Sequence, residues 1–213
     1  MKTAAIIGNG SFPEAEYPRY LLDSADVRIC CDGALVHMVE AGIVPDAVVG
    51  DMDSLPEDLK AEYAGIIVEV PDQDTNDQTK ALKYLLEQYP DVDSIHFLGA
   101  TGRREDHTIG NMSLLMEYER MFHLQERGID ADMVSDYSTI FAVTDSCTLD
   151  VGEGRSFSIF TPDTSLRISS EGLQWPLDDV VFDNWWKAEL NRASADRVSL
   201  VFSHPSVALV VIE

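Results

Sequence analysis

Two short apolar runs in this chain each end in a cluster of aspartates. Val48 and Val49 lead into Gly50-Asp51-Met52-Asp53, and Ile66, Ile67, Val68 and Val70 lead into Asp72, Asp74 and Asp77. Short apolar runs bounded by turn residues read as buried strands of a parallel sheet. The carboxylates then stand just past the C-terminal ends of neighbouring strands, where open α/β sheets hold their ligands. Several carboxylates in one crevice repel one another unless some take protons or share a cation. The nearest cations in the chain are Lys60, in a helical stretch, and Lys80. Every candidate ligand atom is an oxygen, which suits a hard divalent ion such as Mg2+ held by carboxylates together with substrate phosphates. The expectation is a site for a magnesium–nucleotide complex.

Around these runs strands and helices alternate. Strands are expected at residues 3–7, 27–31, 47–49, 66–70, 95–98 and 133–134. Helices are expected at 17–24, 35–41, 59–63, 76–89 and 107–125. In the fourth of these, Thr75 and Gln78 have capping-box spacing, and Ala81, Leu82, Leu85 and Leu86 make an apolar face. Such alternation argues for a mostly parallel, Rossmann-like α/β sheet covered on both faces. From about residue 139 the pattern changes. Short strands at 140–143, 147–151, 157–160, 166–168, 198–202 and 207–212 are separated by Gly, Pro, Asp and Ser, with no helical period through them. That suggests a C-terminal antiparallel β-sandwich. The expected division is an α/β domain over residues 1–136 and a sandwich over 137–213.

The formal charge of -23, from 38 acids against 15 lysines and arginines, argues against a nucleic-acid partner or an anionic membrane surface, since both need a basic patch. It also makes any local cation stand out. Cys30, Cys31 and Cys147 form no CxxC pair, so buried reduced thiols are expected rather than a disulfide framework or a zinc site. The first apolar stretch is short for a signal peptide and no run is long enough to span a membrane, so a cytoplasmic location is expected.

Further residues are candidates for chemistry. Asp51 and Asp53 are two apart, and in an extended chain their side chains point the same way; a polar turn is the plainer reading. Asp77 also suits the first turn of a helix, where an acid complements the dipole. Asp74 reads equally as a loop acid, and the Gln73 amide either reads a polar substrate group or is solvated. Gly8-Asn9-Gly10 follows the first strand and reads either as a nucleotide loop or as a plain turn. Arg103 and Arg104 precede a helix start, and guanidinium forks beside free helix N–H groups make a phosphate site. A surface salt bridge is the alternative for Arg104. Asp106 reads as the helix N-cap or as a ligand for metal or a nucleoside hydroxyl. His107 suits a hydrogen bond at the helix start better than the role of general base, and Asn111, one turn on, is expected to face the same crevice. Trp175 either stacks on a flat or cationic ring or fills the core of the sandwich.

Taken together, Cys31 to Ala34 (CDGA), Pro45 to Ser54 (PDAVVGDMDS), Asp72 to Leu82 (DQDTNDQTKAL), Gly99 to Asn111 (GATGRREDHTIGN) and Glu171 to Leu177 (EGLQWPL) resemble the thiamine pyrophosphokinase family, in its order and over most of the chain. The resemblance implies an α/β domain followed by a β-sandwich. It also implies a homodimer with thiamine between one subunit's first domain and the other's sandwich. It implies that Asp51, Asp53 and Asp77 hold Mg2+ and the ATP phosphates, that Gln73 contacts the thiamine pyrimidine, and that Arg104 binds phosphate with Asp106 after it. By the same resemblance Trp175 packs on thiamine. Asp32, Gly33, Asp74, Lys80, Arg103, His107 and Asn111 fall in the same motifs and are expected around the substrates, with Ser194 a further candidate on the thiamine side. The chain departs from the family pattern at Arg103, where a second glycine is usual, at Asn76 for threonine, and at Ala195 in place of the asparagine of a Ser-Asn pair. The implied reaction moves diphosphate from ATP to the hydroxyl of thiamine, giving thiamine diphosphate and AMP. A diphosphokinase for another alcohol, such as a hydroxymethylpterin, and a thiamine or nucleotide sensor are the alternatives.

Overall fold

The alternating first half folds into six parallel strands. β1 (Thr3–Ile7), β2 (Val27–Cys31), β3 (Ala47–Gly50), β4 (Ile67–Glu69), β5 (Ser94–Leu98) and β6 (Asp130–Val134) lie in the order β6-β5-β1-β2-β3-β4. Five helices accompany them: α1 (Glu16–Ser24), α2 (Leu35–Glu40), α3 (Glu57–Glu62), α4 (Asp77–Gln88) and α5 (Glu105–Phe122). The computed structural model describes residues 1–213. Two compact units are distinguishable, Met1–Leu114 with Leu124–Asp136, and Leu115–His123 with Tyr137–Glu213. The strands of the first unit are apolar without alternation because both faces are covered: Ala4, Ala5, Ile6 and Ile7 of β1 are all buried. α4 packs on β2 and β3 and buries Ala81, Leu82 and Leu85 completely, each leucine contributing about 1.5–3 kcal/mol.

The order of the strands positions the site. From β1 the chain steps outward through β2, β3 and β4, then returns by α4 to β5 on the opposite side of β1. The sheet therefore changes direction between β1 and β5, and the crevice at their C-terminal ends is the ligand position of such sheets. The turns there interlock: Gly10 N–H donates to Gly99 O at 2.6 Å and Ser11 N–H to Thr101 O at 2.7 Å. Gly99 sits at φ +60, and a Cβ on it would stand 2.7 Å from Gly8 O, so no side chain fits.

The second unit has two antiparallel sheets, one in the order β11-β9-β13-β7 and one in the order β10-β12-β8. The strands are β7 (Thr139–Val143), β8 (Cys147–Asp150), β9 (Ser156–Phe160), β10 (Ile168–Glu171), β11 (Ala188–Arg192), β12 (Arg197–Phe202) and β13 (Ala208–Ile212). Alternate residues point into a shared core: Phe157 and Ile159 from β9 meet Val198, Leu200 and Phe202 from β12. One strand, β11, is absent from the sequence reading. Helix starts also differ from expectation. Asn76, not Thr75, caps α4, its side chain accepting from Thr79 N–H at 3.0 Å. α5 begins at Glu105, with Thr108 N–H on Arg104 O at 2.9 Å, so Asp106 lies within the first turn and is not the cap.

Candidate active site

A cleft of about 500 Å³ opens in the first unit at the C-terminal ends of these strands. The turns after β1, β2, β3 and β5 and the first turns of α4 and α5 line it. Asp32, Gly33, Asp51, Gln73, Asp77, Lys80, Arg103, Arg104, His107 and Asn111 all lie on its wall.

Its acidic side is built by three carboxylates. Oxygens of Asp32, Asp51 and Asp53 lie within 4.8 Å of one another. Asp32 follows β2 and Asp51 follows β3. The pairing of Cys31 with Val49 brings those two strand ends together. Met52 takes φ +63 and buries its side chain. Asp51 and Asp53 therefore converge through a turn at Met52, not through the extended geometry expected of them. Gly50 is required here, since a Cβ would stand 2.8 Å from the Cβ of Asp32.

Asp32 is the most constrained member. It is only 2% exposed, takes φ +28, and receives Ser54 N–H on Oδ2 at 3.1 Å. Its Oδ1 is buried with no hydrogen-bond partner. Burial raises its pKa, and the charges of Asp77, Asp53 and Asp51 add to the rise against the Ser54 N–H. A buried, unpartnered carboxylate oxygen facing two further carboxylates fits a hard divalent cation.

Lys80 answers the other acids. Its buried ammonium lies 3.1 Å from Asp77 Oδ1 and 3.6 Å from Asp51 Oδ2. Burial pulls its pKa down, but the hydrogen bond and charge of Asp77 and the charge of Asp51 outweigh that and raise it. Gln73 Nε2 donates to Asp51 Oδ2 at 3.0 Å; this bond is the first cause of the lowered Asp51 pKa. Asp77 thus meets the cluster through Lys80, whereas Asp32 stands directly against Asp51 and Asp53.

The segment that leads into α5 adds two arginines to the same cleft. Arg104 forms a fork on Asp106, with Nη2 to Oδ2 at 2.6 Å and Nε to Oδ1 at 3.1 Å. That pair lowers the Asp106 pKa to about 2. Arg103 reaches Asn9 and His37. Asn111 links the two helix starts: its Oδ1 accepts from Asn76 Nδ2 at 2.9 Å and its Nδ2 donates to Ala100 O at 2.8 Å.

Asp74 and Asp106 do not line the cleft, and Asp53 joins it only through the carboxylate cluster. Asp74 offers its N–H to Asp72 Oδ1 at 3.0 Å, a local turn. Trp175 and Ser194 belong to the second unit. Trp175 is 54% exposed, so it does not fill the sandwich core, and Asn191 clips its backbone to β11 at 3.2 and 2.7 Å. Ser194 N–H donates to Gly172 O at 2.8 Å. The sequence reading passed over His37, Ser54 and Thr101, while Asn9 entered it only as part of the Gly8-Asn9-Gly10 turn, which lines the cleft.

Residues 18–125 match the family model described as thiamin pyrophosphokinase, catalytic domain, and residues 139–204 match thiamin pyrophosphokinase, substrate-binding domain. Thiamine pyrophosphokinase 3 of Oryza sativa subsp. japonica is 30% identical, the match covering 76% of this chain and 70% of that protein. Thiamine pyrophosphokinase 1 of the same plant is 27% identical over 83% of this chain and 74% of its own length. The thiamin pyrophosphokinase structure from Candida albicans has the same fold, with a TM-score of 0.80 at 16% identity over 100% of this chain and 88% of that one.

Proposed function

This chain belongs to the thiamin pyrophosphokinase family, and on that premise we propose that it transfers diphosphate from ATP to the hydroxyl of thiamine. One observation within the molecule carries the reading: three carboxylates at the direction change of a parallel sheet, one of them buried with an unpartnered oxygen. We assign ATP and the chemistry to the first unit, and thiamine and self-association to the second. In support, Trp175, Leu190 and Val201 of the second unit are exposed, as surfaces that meet a flat ring or a second copy require.

In the proposed reaction the thiamine oxygen bonds to the β-phosphorus, the bridge from that phosphorus to the α-phosphate oxygen breaks, and AMP leaves. The β- and γ-phosphates stay together on the product. Asp32, Asp51 and Asp53 hold the divalent cation, which when bound offsets phosphate charge. Lys80 pairs with both Asp77 and Asp51. Asp77, one third exposed on its side chain, takes the hydroxyl proton. Arg104 exchanges Asp106 for phosphate, and the free N–H groups at the start of α5 add donors. Gln73, which holds Asp51, hands its amide to the thiamine pyrimidine as substrate enters. Positioning supplies most of the rate, as in phosphoryl transfer generally.

The test is chromatography of ATP incubated with protein, Mg2+ and thiamine. The reading expects AMP and thiamine diphosphate in equal amounts, with no AMP when thiamine is omitted. Binding of thiamine without turnover would sink the enzymatic reading in favour of a sensor. Turnover with a pterin alcohol and not with thiamine would move the acceptor. Sedimentation at micromolar concentration is expected to give twice the chain mass.

A further inference from the structure

We infer that Arg103 is the positioning cation for the donor's phosphate tail, held over the cleft by His37 and Asn9 in a clasp that protonation of His37 opens. The inference rests on the nucleotide reading of the cleft. Three lysines and arginines line that cleft: Lys80, Arg103 and Arg104. Lys80 is matched by Asp51 and Asp77, and Arg104 by Asp106. Arg103 is held by neutral acceptors, with Nη1 on Asn9 Oδ1 at 3.3 Å and Nη2 on His37 Nε2 at 2.8 Å. Its position is fixed while its charge stays unmatched, in a chain of net charge -23. A guanidinium fork of that kind is suited to a phosphate.

The clasp spans the crevice. Asn9 belongs to the turn after β1 and Arg103 to the segment after β5, the two strands between which the sheet changes direction. His37 comes from α2. Because Arg103 donates to Nε2, that nitrogen carries a lone pair and the ring proton sits on Nδ1, 3.4 Å from Glu40 Oε2. The charged groups that meet the ring are Arg103 and Glu40 of its own helix, and from α1 Arg19 reaches only the Phe12 ring beside it. Arg19 lies 5.8 Å from the Phe12 ring, which packs tilted against His37 at 6.2 Å. Protonation removes the lone pair and sets a second positive charge 2.8 Å from the guanidinium. Arg103 then loses its hold, and the tail loses its positioned cation.

Calorimetric binding of ATP with Mg2+, and of adenosine alone, to the full chain at pH 8 and pH 5.5 tests this without turnover. Arg103→Gln is expected to weaken ATP by roughly 10–100-fold at pH 8, the loss of one or two charge-assisted hydrogen bonds, with adenosine unchanged. Arg103→Lys, which keeps the charge and loses the fork, falls between. His37→Gln, an acceptor that does not titrate, is expected to bind ATP equally at pH 8 and pH 5.5, while the wild type weakens roughly fivefold between them. ATP affinity within twofold of wild type in Arg103→Gln overturns the clasp and leaves the nucleotide site standing. A His37→Gln profile that tracks the wild type overturns the role of His37. Wild-type protein that binds neither ligand overturns the clasp and the nucleotide reading together.

Discussion

Two aspartates, one in each unit, are treated in opposite ways by the fold. Asp163 of the second unit is surrounded by donors. Ser165 Oγ at 2.6 Å, Ser206 Oγ at 2.8 Å, Ser165 N–H at 2.9 Å and His204 Nε2 at 2.9 Å all meet its carboxylate. These bonds, led by Ser165, His204 and Ser206, hold its pKa far below the usual carboxylate range. Asp32 of the first unit is more deeply buried, has one N–H donor and three acidic neighbours, and is pushed the other way. The first carboxylate is satisfied by its own chain and ties the loop after β9 to the one before β13. The second is left short, and a group left short inside a fold is the one with capacity for something the chain does not itself supply.

The largest effect that separates the two regions is on turnover. Asp51→Asn is expected to lower AMP formation by roughly three orders of magnitude, the several kcal/mol that a metal-held charge supplies, with the melting temperature kept. Asp163→Asn is expected to do the reverse. Nucleotide affinity stays, while stability falls by about 2 kcal/mol as hydrogen bonds to a charge are lost, read as a lower denaturant midpoint. Near-normal turnover in Asp51→Asn, or an unmoved midpoint in Asp163→Asn, would erase the contrast.

A smaller effect has the opposite sign. With chelator present, Asp32→Asn is expected to stabilise the protein by about 1 kcal/mol, because it removes a buried charge from three like charges. Addition of Mg2+ then raises the melting temperature of the wild type and leaves the variant where it was. A variant that is less stable than wild type in chelator would make Asp32 a structural acid like Asp163.

Sequence and structure agree most closely where burial is two-sided. The runs that became β1, β2 and β3 are continuous in apolar residues because helices cover both faces, so they stood out along the chain. β11 did not, for a local reason. Its register shifts between Ala188 and Asn191, and Leu190 takes φ +62 and turns outward, 78% exposed, so no alternation survives. Within the site, Asp51 and Asp53 were legible as a pair because they are neighbours in sequence. The third member was expected near the substrates from its motif, but not as a partner of these two. Asp32 reaches them only through the parallel register of β2 on β3, a pairing that no spacing along the chain encodes. Asp77 lay at the expected rim, and the structure adds that Lys80 stands between it and Asp51.

The smallest effect is the pH dependence of stability, and it is the most discriminating because the two aspartates pull it in opposite directions. The Asp163 pKa is lower folded than unfolded. Its stabilisation is therefore complete above the unfolded value, near 4, and is lost as the pH falls through the folded one. The Asp32 pKa is higher folded than unfolded. The folded chain takes up that proton more readily, so the contribution of Asp32 is greatest below the unfolded value and is lost as the pH rises through the folded one. In metal-free buffer, the difference in unfolding free energy between wild type and Asp163→Asn is expected to shrink below about pH 4. The difference between Asp32→Asn and wild type is expected to grow as the pH rises above about 4. Each slope stays under the single-group ceiling of about 1.4 kcal/mol per pH unit. Parallel profiles for the two variants would mean that both carboxylates are satisfied alike, and the acidic rim of the first unit would lose its claim to an external cation.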